Sequence, residues 1–487
     1  MEIGMTKIKK VLLNNSLFRQ CYIICLLACN ISYVHFLGYV CLVLMVIWGG
    51  FLVVYNEITR RTALKTRFGF WLLALLVSSF ITMLINILSN ALLNFIFLIH
   101  LAIIFFIFYS VHTEKQMNFR RELYNISRMM VYITTVLNVV GLALLVLGVD
   151  FEFWNVKFII YENRFTGLFS NPNYLGFSAV VSLFSCHMLA KRDFVERSGC
   201  RRVSRIWIAS CIAVNLISLL LSDSNGALIL LVAYSFFFFI YKMFGSESSF
   251  TFRQVLLKSL ASILTGAVIV ASIFFLRTVC QLGFSQLVKS NQTISAPVTI
   301  NPDESKPETV TFDHENKNLD SGRLTLWKQG GELFLSSPAV GIGKGNIYNY
   351  GLNMFENGVK FSERYTSELG PFMTDLHNGY LTILVSSGVF GFVFFLIFLV
   401  RFFTKTTKHV MRDDKLQQSV FPCLFSFLAA YLVYSFIEVT LLFNITFTVV
   451  FFWMILGYAS CFLTINQPDH PVEHVKFLNF KLRKTMF

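Results

Sequence analysis

Apolar stretches of about 18–22 residues recur from one end of this 487-residue chain to the other, and each is long enough to cross a bilayer as a helix. Twelve can be read, near 17–34, 37–55, 68–89, 91–110, 129–149, 173–190, 206–222, 227–243, 259–279, 378–400, 420–438 and 445–465. Inside hydrocarbon every backbone N–H and C=O needs a partner from the protein itself, which leaves helices as the economical solution for such runs. Composition agrees. Hydrophobic residues make up 55% of the chain and charged residues only 14%, too little to cover a soluble surface of this size. The expected fold is an all-α polytopic membrane protein of about 12 transmembrane helices.

Charge orients it, because Lys and Arg are retained on the cytoplasmic side. With the N-terminus inside, 30 of the 41 Lys and Arg fall on the cytoplasmic face, among them Lys7, Lys9, Lys10, Arg19 and the 191–205 loop. Asp and Glu favour the other face, so a chain of net charge +14 divides into +19 inside and −5 outside. Both termini are therefore expected in the cytoplasm. The basic balance reads as orientation and anionic-lipid contact, with no nucleic-acid partner. The first run has a basic flank but no small-residue cleavage site, so it reads as an uncleaved anchor. The layout is helices 1–9 over residues 1–279, a long extracytoplasmic loop over 280–376, helices 10–12 over 377–465, and a basic cytoplasmic tail over 466–487.

That loop has two parts. Residues 285–320 are rich in Ser, Thr, Asn and acids, bury too little apolar area to fold alone, and are expected to be flexible. Residues 321–350 carry Leu324, Trp327, Leu333 and Phe334 at helix-like spacing, interrupted by Gly330–Gly331, followed by a GIGKGN turn. As a nucleotide signature GIGKGN lacks a βαβ context. Metal sites are not expected. Asp313-His314-Glu315 lies in the polar stretch, Asp413-Asp414 sits among lysines, and no Asp-x-Asp occurs. Cys21, Cys25 and Cys29 line one helix face as small packing residues. A two-half transporter would place its largest loop mid-chain and cytoplasmic, whereas here the middle is the short 191–205 loop.

Four places could carry chemistry, each with a plain structural alternative. Arg164 precedes Asn171-Pro172-Asn173, a sequence suited to capping a helix start. Arg323 opens the apolar stretch of the loop. His377, in TDLHNGYL with Asn378 beside it, stands where Thr374 or Asp375 could cap a helix. Glu438 lies at the expected outer end of helix eleven, where an ionisable group serves either function or helix pairing. All four are expected on the same side of the membrane. Guanidinium forks match phosphate oxygens, and an imidazole suits removal of a proton from a sugar hydroxyl.

The segments RFTGLFSNPNYLG, SGRLTLWKQGGELFLSSPAVGIGKGN and LHNGYLTILVSSGVFG, in that order, resemble the O-antigen ligase and O-antigen polymerase superfamily of bacterial envelope proteins. The resemblance spans residues 164 to about 400. It implies a glycosyltransferase of the bacterial cytoplasmic membrane with its active site facing outside; the missing metal motifs make metal independence the expectation, and no cofactor is expected. Its substrate would be an undecaprenyl-diphosphate-linked oligosaccharide or polysaccharide, and its neighbours membrane lipid and other polysaccharide assembly proteins. Arg164 and Arg323 would bind diphosphate and His377 would act near the acceptor; Glu438, Asn173 and Asn378 are candidate supporting residues beside that set. One departure stands out. Family members often carry a Ser-Arg-Gly-like sequence before helix eight, where this chain reads SDSNGAL with Asn225 at the arginine position. Polymerisation of repeat units into capsular, O-antigen or exopolysaccharide chains is the favoured expectation. Ligation of finished glycan to an envelope acceptor is the close alternative, and a lipid-linked oligosaccharide flippase is the alternative of another class.

Overall fold

The computed structural model describes residues 10–114, 118–148, 152–153, 156–157, 159–161, 163–244, 251–295, 323–356, 375–410 and 414–465. Every apolar stretch becomes a helix. They are α1 (Asn15–Ala28), α2 (His35–Arg60), α3 (Gly69–Ile85), α4 (Ile87–Ile103), α5 (Phe119–Val146), α6 (Pro172–Ala190), α7 (Arg205–Leu221), α8 (Asn225–Phe244) and α9 (Phe252–Ser295). Two helices of the long loop follow, α10 (Arg323–Leu335) and α11 (Ile347–Glu356), and then α12 (Gly379–Val410), α13 (Phe421–Tyr434) and α14 (Phe447–Ile465). Among the described residues eight helices are long and apolar enough to cross a membrane; α3, α7 and α13 are shorter apolar helices, and α1 has 14 residues. The chain is a mostly helical, multi-pass membrane protein.

The core is aromatic and centres on α14. Trp453 is fully buried, with ring centroids 4.8 Å from Phe105 and 5.5 Å from Phe398, and its indole N–H donates to the Leu441 carbonyl at 2.6 Å. Such contacts combine large apolar area with a satisfied polar tip. Of the three cysteines on this face, Cys25 of α1 and Cys29 just after it are buried and Cys21 is half-buried, and a Cβ on Gly38 of α2 would lie 2.7 Å from the Cys29 nitrogen. Arg19 is different from the solvated flank charge its sequence position implies. It is fully buried, 2.7 Å from both Glu114 and Glu122.

Three local features depart from the sequence reading. The connection before α6 forms two small antiparallel ribbons, β1 (Glu152–Phe153) with β2 (Val156–Lys157), and β3 (Ile159–Tyr161) with β4 (Arg164–Gly167). Helix α9 runs on through 285–295, within the stretch expected to be flexible; that segment holds no proline to stop a helix before Pro297. The rest of that stretch, with Asp313-His314-Glu315, lies outside the described residues, as do Asp413 and the basic tail 466–487. Third, α10 passes unbroken through Gly330–Gly331.

The GIGKGN segment is a turn with a defined berth. Helix α12 is broken at Gly388, whose φ of 64° and ψ of −172° suit glycine alone. Across this break the Ile342 and Gly343 N–H groups donate to Val385 and Ser386 carbonyls at 3.0 Å each, while Val389 N–H donates to the Pro338 carbonyl at 2.9 Å. On the other side Asn94 Oδ1 accepts from Gly345 N–H at 2.8 Å and Asn90 donates to the Gly345 carbonyl at 3.1 Å. Side-chain amides thus satisfy irregular backbone between apolar helices, the condition for such a loop to persist there.

Candidate active site

The Asn171-Pro172-Asn173 sequence starts α6 as its chemistry dictates. Asn171 Oδ1 accepts from the Asn173 N–H at 2.7 Å, and Pro172 fills the first helical position, where no backbone donor is needed. Asn173 then turns its own amide oxygen to two donors, Arg164 Nη2 at 2.8 Å and Ser224 Oγ at 3.0 Å. Arg164 leaves β4, and its Nε also donates to the Ser222 carbonyl at 3.0 Å. The turn that receives it, Ser222-Asp223-Ser224 between α7 and α8, is buried in spite of its polarity. Gly176 lets α6 close on this turn, since a Cβ there would stand 2.8 Å from Ser224 Cβ.

A second group assembles around Glu438. Helix α13 ends at Tyr434, so Glu438 belongs to the non-helical stretch before α14 and not to the end of a span. Its Oε1 accepts from Arg323 Nη2 at 3.2 Å, and its Oε2 lies 3.1 Å from His377 Nδ1. Arg323 is the first residue of α10, and its buried Nε has no partner among the described residues. Asn378 caps α12 by accepting from Leu381 N–H at 2.9 Å, while Asp375 accepts from the His377 N–H at 2.9 Å. His377 itself has φ of 44°, in the left-handed region that costs a non-glycine residue energy. Asp375 and the carbonyl of Ser435, which takes the Gly379 N–H at 2.7 Å, hold the backbone on either side of it.

Both groups open onto one cleft, lined by Asn171, Asn173, Tyr174, Asp375, His377 and Glu438 with neighbouring Thr440 and Asn444. His377 and Glu438 line it directly, and Arg164 is joined to it by Asn173. Because a carboxylate only accepts, the hydrogen bond assigns a hydrogen to Nδ1 of His377, which in the neutral ring leaves the lone pair on Nε2. Burial of the ring disfavours its charged form, but the hydrogen bond and charge of Glu438, with Asp375 adding, outweigh this and raise His377 above its ordinary value. Lys344, from GIGKGN, responds to the same carboxylate: burial lowers it and Asp375 opposes that shift. Among the described residues no group of three or more His, Cys, Asp or Glu could hold a metal.

Residues 210–396 match the family model described as O-antigen ligase. That match supports the resemblance to the O-antigen ligase and polymerase superfamily. The match takes in Arg323 and His377, while Arg164, Asn173 and Glu438 lie outside it and join the O-antigen ligase segment through the hydrogen bonds above. No curated protein matches the chain.

Two polar residues at this cluster escaped the sequence reading. Arg277 of α9 pairs with Asp223 and donates from Nη1 to Asn225 Oδ1 at 3.2 Å. The signal was there: the scarcity of positive charge that marks Arg164 marks Arg277 equally, at the end of an otherwise apolar stretch.

Proposed function

We propose that this protein is a glycosyltransferase that polymerises undecaprenyl-diphosphate-linked repeat units at the outer face of the bacterial cytoplasmic membrane. The observation that carries this reading is a cleft lined by His377 and Glu438, with Arg323 bonded to Glu438 and Arg164 joined to the cleft by Asn173. In the reaction, a sugar hydroxyl of the acceptor attacks the anomeric carbon of the donor. A carbon–oxygen bond forms to the acceptor as the bond to the diphosphate oxygen breaks, and the electron pair departs on undecaprenyl diphosphate. His377 Nε2 takes the hydroxyl proton, with Glu438 fixing the ring and balancing the imidazolium. Arg164 and Arg323 offset charge on the departing diphosphate.

Arg164→Ala, Arg323→Ala and His377→Ala are each expected to abolish polymer while the protein still inserts in the membrane, the histidine change costing about 10²–10⁴-fold. Wild-type polymer in all three would sink the assignment. The family description favours a second reading, ligation of finished glycan to an envelope acceptor. The glycan left on undecaprenyl diphosphate in a deletion strain separates the readings: single units outside for a polymerase, long polymer for a ligase, units stranded inside for a flippase.

A further inference from the structure

Arg277 and Asp223 have no part in the chemistry described so far, yet they complete the surroundings of the turn that holds Arg164. Ser222 gives its carbonyl to Arg164, Asp223 its carboxylate to Arg277, Ser224 its hydroxyl to Asn173, and Asn225 its amide oxygen to Arg277. Two guanidinium groups from separate elements, β4 and α9, therefore converge on four consecutive residues. Asp223 is 6% exposed and sits in the left-handed region at φ 52°, with Gln281 as an additional donor at 3.4 Å. Arg277 keeps 20% of its side chain exposed, and its Nε has no protein partner among the described residues.

We propose that Arg277 is a further diphosphate-binding residue, aimed by Asp223, which delivers from α9 the guanidinium that the sequence lacks at position 225. This rests on the proposed function. With Asp223 beside it, Arg277 adds little net charge; its contribution is directional, through planar N–H donors that distinguish a diphosphate from a single phosphate. An ion pair that merely fastened α9 to the α7–α8 turn would act through the stability of that turn, and its loss would show as a lowered melting temperature of the ligand-free protein.

The test measures binding of undecaprenyl diphosphate and undecaprenyl monophosphate to the purified full-length protein in nanodiscs. Arg277→Gln is expected to weaken diphosphate binding about tenfold or more. It should also narrow the preference over monophosphate, with the melting temperature of the ligand-free protein retained. Asp223→Asn should narrow the preference in the same direction. Arg277→Lys preserves the charge opposite Asp223 but removes the planar fork, so it should fold and still lose preference for diphosphate; it decides the matter should Arg277→Gln fail to fold. Wild-type preference in the folded Arg277 variants, with binding lost in Arg164→Ala, overturns the role of Arg277 and leaves the proposed function standing. Wild-type binding in Arg164→Ala and Arg323→Ala as well would overturn both.

Discussion

Glu438 meets Arg323 with one carboxylate oxygen and His377 with the other, so a single acid sets the position of a cation and the protonation of a base. A neutral base works only above its own pKa, and Glu438 raises that of His377. Activity of the wild type should fall as pH drops through this raised value. Glu438→Gln removes the charge, so the acid limb of the kcat/KM profile should move to lower pH while the plateau falls roughly 100-fold from lost orientation. A limb that stays in place would show that another group controls it. Stability runs the opposite way. The protonated His377–Glu438 pair stabilises the fold fully below the ordinary histidine value, ~6.5, and that contribution is lost as pH rises through the raised one. The melting temperature of Glu438→Gln should therefore lie furthest below wild type at acid pH and approach it with rising pH.

At the scale of elements, the berth between the Gly388 break and the asparagines of α4 ties the long loop to the bundle. A Cβ on Gly388 would lie 2.3 Å from the Ala339 carbonyl oxygen, and alanine cannot adopt its backbone angles without strain of about 1–3 kcal/mol. Gly388→Ala should lower the melting temperature of the purified protein and reduce glycan transfer. Gly331→Ala is the control, since nothing lies within 4 Å of the added methyl and helix propensity favours it by ~1 kcal/mol. Equal thermal losses in both would mean that the berth is not what Gly388 secures. These two glycines also mark what the sequence could and could not reveal. Long apolar runs declare helices because burial in lipid and backbone satisfaction act on each run alone. The loop is held by Asn90 and Asn94 from some 250 residues away and by the break in α12 from about 45, and no local pattern encodes such pairings. The same reasoning divides the site. Arg164, Arg323 and His377 could be picked out because each is a polar group at the edge of an apolar run. That Glu438 would bridge two of them, and that Arg277 would reach the turn at Asn225, depends on tertiary packing.

For the whole molecule, the strongest sequence argument is the asymmetry of charge, which predicts that the site residues all lie on the positive-poor side. Arg19 shows that one basic residue can be a structural element and not an orientation signal, since it is enclosed by Glu114 and Glu122. The remaining excess is spread over many segments, so removing Arg19 from the count leaves the assignment of sides unchanged. The proposed orientation puts Asn163, exposed one residue before Arg164, outside the cell, and Cys200, half-buried in the connection before α7, inside. In variants with all other cysteines replaced, a membrane-impermeant maleimide applied to intact spheroplasts should label Asn163→Cys at once. Cys200 should label only after the membrane is permeabilised. Labelling of Cys200 in intact spheroplasts with protection of Asn163→Cys would invert the chain, placing the cleft in the cytoplasm, where an externally displayed donor glycan could not reach His377.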